Sequence, residues 1–380
     1  MSQQTSRRGF LAAGLAAPGL ALSPAPLQLP GTKKPQLVYR TLGKTGLKVT
    51  TVSFGTMITS DASVIERGAD LGINYFDTAR GYQSGNCERM VGAALKKVRK
   101  NIVLSTKSPA KTKGEALADL DKSLSELQTD YVDIWYLHAK SKPEDVPDEL
   151  MEAQDIARKA GKIRFAGIST HSGQKELIPF VLSKKHFDVI LTSYNFAMDG
   201  ALMRGLIADA AKAGVGIVAM KVMAGGSKAK EEKTKEILGR EGAMVAALKF
   251  SLADPNVTCA IPSMTDNDQL DQNLAAMASS LTPSDEKILA ARLLDIGPIY
   301  CRMCGDCNGT CAKGLPVPEV LRSLMYAEGY GEFALGREQF RTLPAQFATV
   351  RCTDCSECTV ACTKGVRVAE RLSRAQEIFA

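Results

Sequence analysis

Residues 132–138 form a segment that reads VDIWYLH. It is a short, β-rich run, and the segments on both sides of it (115–128 and 147–160) carry apolar residues at helical spacing. The same alternation continues in both directions along the chain. The eight β-rich runs are Thr51–Gly55, Ile73–Phe76, Ile102–Ser105, Val132–Leu137, Arg164–Gly167, Val189–Leu191, Gly216–Ala219 and Thr258–Ile261. This pattern predicts an α/β fold, a parallel (β/α)8 barrel with its functional groups at the carboxyl ends of the strands.

Length and composition allow one large core and a small second domain. The chain has 380 residues, of which 45% are hydrophobic. Its net charge is +7, but residues 1–35 carry Arg7, Arg8, Lys33 and Lys34 without any acid, which leaves about +3 on the rest. Nucleic-acid binding is therefore not indicated. We predict a signal and linker at 1–35, the barrel at 36–295, and a small C-terminal domain at 296–380.

The N-terminus has the pattern of a targeting segment. Arg7 and Arg8 precede a weakly apolar stretch rich in Ala, Gly and Leu, as in signals read by the twin-arginine translocase. Pro24, Pro26 and Pro30 then make the following stretch a linker. We expect export by the twin-arginine route to the periplasm or another extracytoplasmic space. The alternative is that the segment stays attached as an anchor, because Pro24 follows the small residues of the cleavage region.

Polar residues that are capable of acid–base chemistry lie where the predicted strands end. Asp77 ends one strand and Tyr82 follows it, while Lys107 and His138 end the next two. Each residue alone also has a plain structural explanation, since an Asp at a strand end often caps a helix and a Lys there is usually solvated.

Together with their surroundings, these residues resemble the aldo-keto reductase family over about 250 residues. The similarity lies in Asp77-Thr78-Ala79 with Tyr82, in Phe54-Gly55-Thr56-Met57, and in residues 39–49. The resemblance implies that Tyr82 is the acid that protonates a carbonyl oxygen. Lys107 is then expected to lower the pKa of Tyr82, Asp77 to hold Lys107, and His138 to orient the carbonyl.

The resemblance also implies a site for NAD or NADP. Ser169 and Asn195 are expected to bind the nicotinamide amide, and Tyr194 to stack on its ring. The residues expected to contact the pyrophosphate and the adenosine are Gly225, Gly226, Ser263, Thr265, Gln269 and Asn273. Asp266 stands where an Arg often meets the 2′-phosphate of NADP, which favours NAD, or weak binding of the nucleotide.

Eight of the ten cysteines follow one spacing, Cys-x2-Cys-x2-Cys-x3-Cys, which occurs twice. In two-cluster ferredoxins the fourth cysteine of such a run ligates the other cluster. The sequence therefore predicts two [4Fe–4S] clusters with crossed ligation. The first set is Cys301, Cys304, Cys307 and Cys362, and the second is Cys352, Cys355, Cys358 and Cys311.

Zinc and disulfides are the alternatives for these cysteines. Structural zinc sites favour two separated Cys pairs, and disulfides at these spacings close very short loops. The intervening residues and those after Cys362 have helical spacing, so this part resembles the helical two-cluster ferredoxin domains of some respiratory dehydrogenases.

These features favour an exported oxidoreductase that interconverts a carbonyl and an alcohol, with clusters that exchange electrons with a redox partner protein. Its expected substrate is a small carbonyl compound, alcohol or sugar-like molecule. Two alternatives stay open at this point. One is an electron-transfer or binding module with a non-catalytic barrel, and the other is a reductase in which the clusters are structural.

Overall fold

The computed structural model, which describes residues 35–198, 200–225, 242–347 and 350–379, contains one eight-stranded parallel sheet. A short antiparallel pair precedes it, formed by β1 (Tyr39–Thr41) and β2 (Lys48–Thr50). The strands of the parallel sheet are β3 (Phe54–Gly55), β4 (Tyr75–Asp77), β5 (Val103–Ser108), β6 (Val132–Leu137), β7 (Ile163–Thr170), β8 (Val189–Ser193), β9 (Gly216–Met220) and β10 (Cys259–Ala260). All eight predicted strands are present, in sequential order around the sheet.

The sheet closes on itself. Isolated parallel bridges join Val52 to Ala260 and Gly55 to Ser263, which connects the first strand to the last. Gly55 permits this closure, because a Cβ there would lie 2.5 Å from the carbonyl oxygen of Ile261. The (β/α)8 prediction is therefore confirmed.

Helices follow the strands and cover the outside of the barrel. They are α1 (Ala62–Asp70), α2 (Asn86–Leu95), α3 (Lys113–Glu126), α4 (Asp148–Lys159), α5 (Gln174–Lys184), α6 (Gly200–Lys212), α7 (Gly242–Ala253), α8 (Asn267–Met277) and α9 (Pro283–Ile296). Thr112 begins α3 with a capping box to Glu115. The largest core lies between helices and sheet, and a smaller one fills the barrel interior.

The C-terminal part is mainly helical, as predicted. It contains α10 (Val317–Leu324), a π-helical turn (Met325–Gly329), α11 (Phe333–Arg341), α12 (Val368–Phe379), and a two-stranded antiparallel sheet of β11 (Cys307–Asn308) and β12 (Ala361–Cys362). Its own small core includes Val320, Leu324 and Leu372. Residues Pro35–Ala380 form one compact unit, so the boundary at residue 296 and the ferredoxin-like character of this part stay predictions.

Some predicted features fall outside the described residues. These are the signal segment with Arg7 and Arg8, and Gly226 of the predicted nucleotide site. Within the described residues, no helix has the length and apolar character needed to cross a membrane.

A buried carboxylate links three strands at the amino-terminal side of the sheet. Asp133 is 1% exposed, and its oxygens accept from the backbone amide of Leu104 at 2.9 Å, from Arg99 at 3.0 Å and from Arg164 at 2.6 Å. Because Asp133 lies in β6 and Leu104 in β5, the carboxylate also ties two neighbouring strands together.

We expect Asp133→Ala to lower the free energy of unfolding by about 3 kcal/mol, because it leaves the buried amide of Leu104 without its acceptor and removes the carboxylate that pairs with Arg99 and Arg164. Urea unfolding followed by circular dichroism measures the change. The matched control is Asp121→Ala, whose exposed pair with Lys162 contributes less than about 1 kcal/mol. Equal losses in the two variants contradict this interpretation.

Candidate active site

The four residues predicted for catalysis come together at the carboxyl ends of β4, β5 and β6. These strands are neighbours in the sheet, so Asp77, Lys107 and His138 reach the same mouth of the barrel. Tyr82 lies in the turn after β4, with its ring centroid 5.9 Å from that of His138. The Nζ of Lys107 lies 4.9 Å from the Tyr82 ring centroid.

A buried ion pair lies within this group of four residues. Lys107 Nζ donates to Asp77 Oδ2 at 2.5 Å and to the carbonyl oxygen of Thr78 at 2.6 Å. Ser105 donates to the other oxygen of Asp77 at 2.6 Å. Burial raises the pKa of Asp77 and lowers that of Lys107, and the attraction within the pair opposes both shifts. The pair is held charged by its hydrogen bonds and its mutual attraction.

The protonation of Tyr82 differs from the expectation drawn from the sequence. Burial raises the pKa of Tyr82 well above its ordinary value, and the negative charge of Asp77 raises it further. Lys107 faces the ring of Tyr82 and directs its hydrogen bonds to Asp77 and Thr78, so its charge is largely offset by the carboxylate. In this arrangement Tyr82 keeps its proton at neutral pH and is a proton donor.

His138 is neutral for a related reason. Burial lowers its pKa well below the ordinary value, and the nearby positive charges of Lys107 and Arg322 lower it further. A neutral imidazole donates one hydrogen bond without competing for the proton of Tyr82. His138 also lines a cavity together with residues of the loops after β5 and β6.

Residues of the C-terminal part also reach this mouth, which the sequence did not predict. Lys221, which follows β9, donates to the hydroxyl oxygen of Tyr326 at 3.0 Å. His171, which follows β7, has its ring centroid 6.3 Å from that of His138. The rule of strand ends that identified Asp77 also points to His171 and Lys221. No local pattern identifies Tyr326, because its contact spans 105 residues.

The residues predicted to bind the nicotinamide are engaged by the protein itself. Asn195 Nδ2 donates to Lys221 O at 3.0 Å and to Tyr300 Oη at 3.2 Å. Ser169 Oγ accepts from the Ala139 amide at 2.9 Å. Tyr194 is 2% exposed and packs on Phe250, so stacking on a nicotinamide ring stays a prediction that requires this packing to open.

The residues that are predicted to contact the pyrophosphate and the adenosine also have protein neighbours in this structure. A Cβ on Gly225 would lie 2.9 Å from the ring of Tyr300. Gln269 donates to Thr265 Oγ1 and to Asp266 Oδ2, both at 2.7 Å, and Asp266 caps α8. Two further predicted contacts lie nearby, since Ser263 follows β10 and Asn273 is buried in α8.

The first predicted cysteine set lies together. Cys301, Cys304, Cys307 and Cys362 line one small cavity. Cys307 and Cys362 are also paired directly across β11 and β12. The amides of Met303 and Lys364 donate to the sulfurs of Cys301 and Cys362 at 3.4 and 3.3 Å.

The second set is also close in space. Burial raises the pKa of Cys352, and Cys311, Cys358 and Cys355 are near enough to raise it further. Nevertheless, no three His, Cys, Asp or Glu side chains in the described part of the chain are placed to hold a metal ion. The predicted clusters therefore stay a prediction.

One repeat around the cysteines was missed in the sequence. Residues 311–317 read CAKGLPV and residues 362–368 read CTKGVRV. In both, the glycine has a positive φ (72° and 85°) and donates its amide to the carbonyl of the cysteine three residues earlier. The two halves thus enter their following helices in the same way.

Comparisons with known proteins agree with the barrel. A sequence model described as the aldo/keto reductase family matches residues 53–244. The chain is 27% identical over 284 residues to an L-galactose dehydrogenase of Arabidopsis thaliana, covering 64% of this chain and 88% of that protein. It is 26% identical over 317 residues to an L-glyceraldehyde 3-phosphate reductase of Escherichia coli O157:H7, covering 67% and 91%.

A solved structure gives the same picture. The holo form of an aldo-keto reductase from Bacillus halodurans superposes with a TM-score of 0.58 at 27% identity, covering 67% of this chain and 96% of that chain.

Tyr326 is expected to ionise more readily than an ordinary tyrosine. Burial opposes ionisation, but the charges of Lys221 and Arg322 outweigh it and lower the pKa of Tyr326 below the ordinary 10.0. We expect Tyr326→Phe to remove the earliest step in a tyrosinate absorbance titration of the native protein. Tyr330→Phe is the control, because burial raises the pKa of Tyr330 well above 10.0. An early step that survives in Tyr326→Phe contradicts the assignment.

Proposed function

Because this chain belongs to the aldo/keto reductase family and is an oxidoreductase of that type, we propose that it interconverts a carbonyl and an alcohol at Tyr82. The observation that carries the proposal is the buried Asp77–Lys107 pair directly beneath a protonated Tyr82, with a neutral His138 beside it. Two relatives are named for a sugar and a sugar phosphate, so we propose a small carbonyl, alcohol or sugar-like substrate.

Each of these side chains has a separate role in proton transfer. Tyr82 donates its proton to the carbonyl oxygen, and His138 orients that oxygen by a hydrogen bond. Lys107 stays charged on Asp77 and offsets the charge left on Tyr82 once its proton has gone. Cover from the C-terminal part keeps water from this site, which strengthens these interactions. The reverse direction requires Tyr82 to have lost its proton, so the raised pKa of Tyr82 favours carbonyl reduction over alcohol oxidation in this arrangement.

We propose a nicotinamide nucleotide as the redox cofactor, and NAD rather than NADP because of Asp266. When bound, it supplies the hydride for reduction or accepts it in oxidation. Ser169 and Asn195 have the donors and acceptors to hold a carboxamide and lie near the mouth of the barrel. The contact from Tyr300 to Asn195 must then exchange for one to the nucleotide.

The same contact favours a second candidate function. With Asn195 engaged by Tyr300, and with Gly329 approaching the carbonyl of Gly225, the barrel as described is covered at its predicted nucleotide site. A barrel that no longer turns over carbonyls and serves as an electron-transfer or binding module fits this observation. The intact group at Tyr82 favours the first proposal.

For the C-terminal part we propose two [4Fe–4S] clusters that exchange electrons with a partner protein. The grouping of Cys301, Cys304 and Cys307 with Cys362 of the other run supports crossed ligation. A structural role for the clusters is the alternative.

We also propose export by the twin-arginine route, on the basis of Arg7 and Arg8, since that route carries proteins that have folded around a cofactor.

We expect Tyr82→Phe to lower kcat/KM for carbonyl reduction by about 100- to 10,000-fold, because it removes the proton donor and leaves the ring packing in place. The assay follows NADH or NADPH oxidation with a panel of small aldehydes. Tyr39→Phe is the matched control at an exposed site and keeps the wild-type rate. Unchanged turnover in Tyr82→Phe removes the proposed mechanism, and no turnover in the wild type favours the non-catalytic barrel.

Iron analysis of anaerobically purified protein tests the clusters. Two [4Fe–4S] clusters give about eight irons per chain. Crossed ligation predicts that the double variant Cys301→Ser/Cys362→Ser loses one cluster and keeps about four irons, whereas Cys301→Ser/Cys311→Ser loses both. Cys87→Ser, in the barrel, keeps the full content. Fewer than about four irons in the wild type contradicts the two-cluster proposal, and clusters that dithionite does not reduce favour the structural alternative.

A further inference from the structure

Two positively charged side chains lie near His171, whose ring centroid is 6.3 Å from that of His138. Lys221 is partly buried after β9, and Arg322 is partly buried on α10 of the C-terminal part. Both lie close enough to His171 for their charges to lower its pKa, and Arg322 acts on His138 in the same way. The barrel and the C-terminal part therefore each contribute one cation to the same region.

Hydrogen-bond accounting shows what this region lacks. Lys221 donates to the oxygen of Tyr326, so the hydroxyl proton of Tyr326 is free to be donated elsewhere. The Nε of Arg322 and the Nδ1 of His171 are buried, and neither has a partner among the described residues. A buried N–H without an acceptor costs about 1–3 kcal/mol, so a ligand that offers an acceptor to Arg322 Nε is favoured at this site.

The charge balance points the same way. Asp77 forms an ion pair with Lys107. Glu328 forms ion pairs with Arg371 at 2.7 Å and with Arg374 at 3.2 Å. In the part of the chain that the structure describes, neither Lys221 nor Arg322 forms an ion pair. Partly buried cations without a counter-charge are unfavourable, and an anion placed between them offsets that cost.

We propose that the substrate is a small carbonyl compound that carries a carboxylate or a phosphate. Its anionic group binds to Lys221, Arg322 and Tyr326, while its carbonyl lies at Tyr82 and His138. The anionic group forms and breaks no covalent bond, and the carbonyl oxygen takes its proton from Tyr82. This inference rests on the proposed function for the carbonyl step, and adds the substrate class and the residues of the C-terminal part that select it.

Arg322 forms no ion pair with the described residues, whereas other arginines of the C-terminal part are paired or exposed. Arg371 and Arg374 are paired with Glu328, and Arg337 lies exposed on α11 over the ring of Phe333. Arg337, exposed on the next helix of the same C-terminal part, therefore provides the matched control.

The experiment compares kcat/KM of the anaerobically purified full chain for glyoxylate, glycolaldehyde phosphate and neutral glycolaldehyde. We expect at least one anionic aldehyde to exceed the neutral one by about tenfold or more, as charged hydrogen bonds contribute. Arg322→Gln lowers kcat/KM for that anionic aldehyde at least about tenfold more than for glycolaldehyde, and Arg337→Gln keeps the wild-type preference. Preference for glyoxylate or for the phosphate identifies which anion the site takes.

Calorimetric titration with inorganic phosphate and with oxalate separates this inference from the carbonyl chemistry. Binding that Arg322→Gln weakens, in a protein that reduces no aldehyde, supports the anion site and contradicts the carbonyl step. Equal turnover of neutral and anionic aldehydes, without anion binding, overturns the anion site and leaves the carbonyl step standing. If Arg322→Gln does not fold by circular dichroism, Lys221→Met replaces it, and wild-type anion preference in that folded variant overturns the inference.

Discussion

The buried pair of Asp77 and Lys107 is the interaction on which the site depends. Two opposite charges at 1% exposure persist only because Thr78 and Ser105 complete their hydrogen bonds at 2.6 Å each. The pair fixes the ends of β4 and β5 against each other and sets the electrostatics of its neighbours. Burial is the larger cause of the raised pKa of Tyr82 and the lowered pKa of His138, and the charges of the pair shift both pKa values further in the same directions. A protonated Tyr82 beside a neutral His138 is the combination needed to protonate a carbonyl oxygen.

The second determinant is the cover that the C-terminal part places over the barrel mouth. The hydrogen bond from Lys221 to Tyr326 and that from Asn195 to Tyr300 both cross from barrel to C-terminal residues. These contacts add hydrogen-bond donors and positive charge to a site in which the charges of Asp77 and Lys107 already offset each other. Tyr300 directly precedes Cys301, so its hydrogen bond with Asn195 lies one residue from the predicted cluster region.

Local sequence pattern was sufficient for the eight strands and for placing Asp77, Lys107 and His138, because strand ends in a parallel sheet share one edge. Spacing alone was also sufficient for the grouping of Cys362 with Cys301. The direction of the pKa of Tyr82 was not predictable, because it depends on burial by residues far away in sequence. The contacts of Tyr300, Arg322 and Tyr326 were missed for the same reason, since long-range cover leaves no periodic signal in the chain.

If barrel and C-terminal residues form one active site, substitutions of Lys221 and Tyr326 affect turnover in a coupled way, and a double-mutant cycle measures this coupling. The measured quantity is the transition-state free energy from kcat/KM for aldehyde reduction in Lys221→Met, Tyr326→Phe and the double variant. We expect a coupling energy of about 1 kcal/mol or more, as for side chains in direct contact at a shared site. Strictly additive effects of the two substitutions would contradict it.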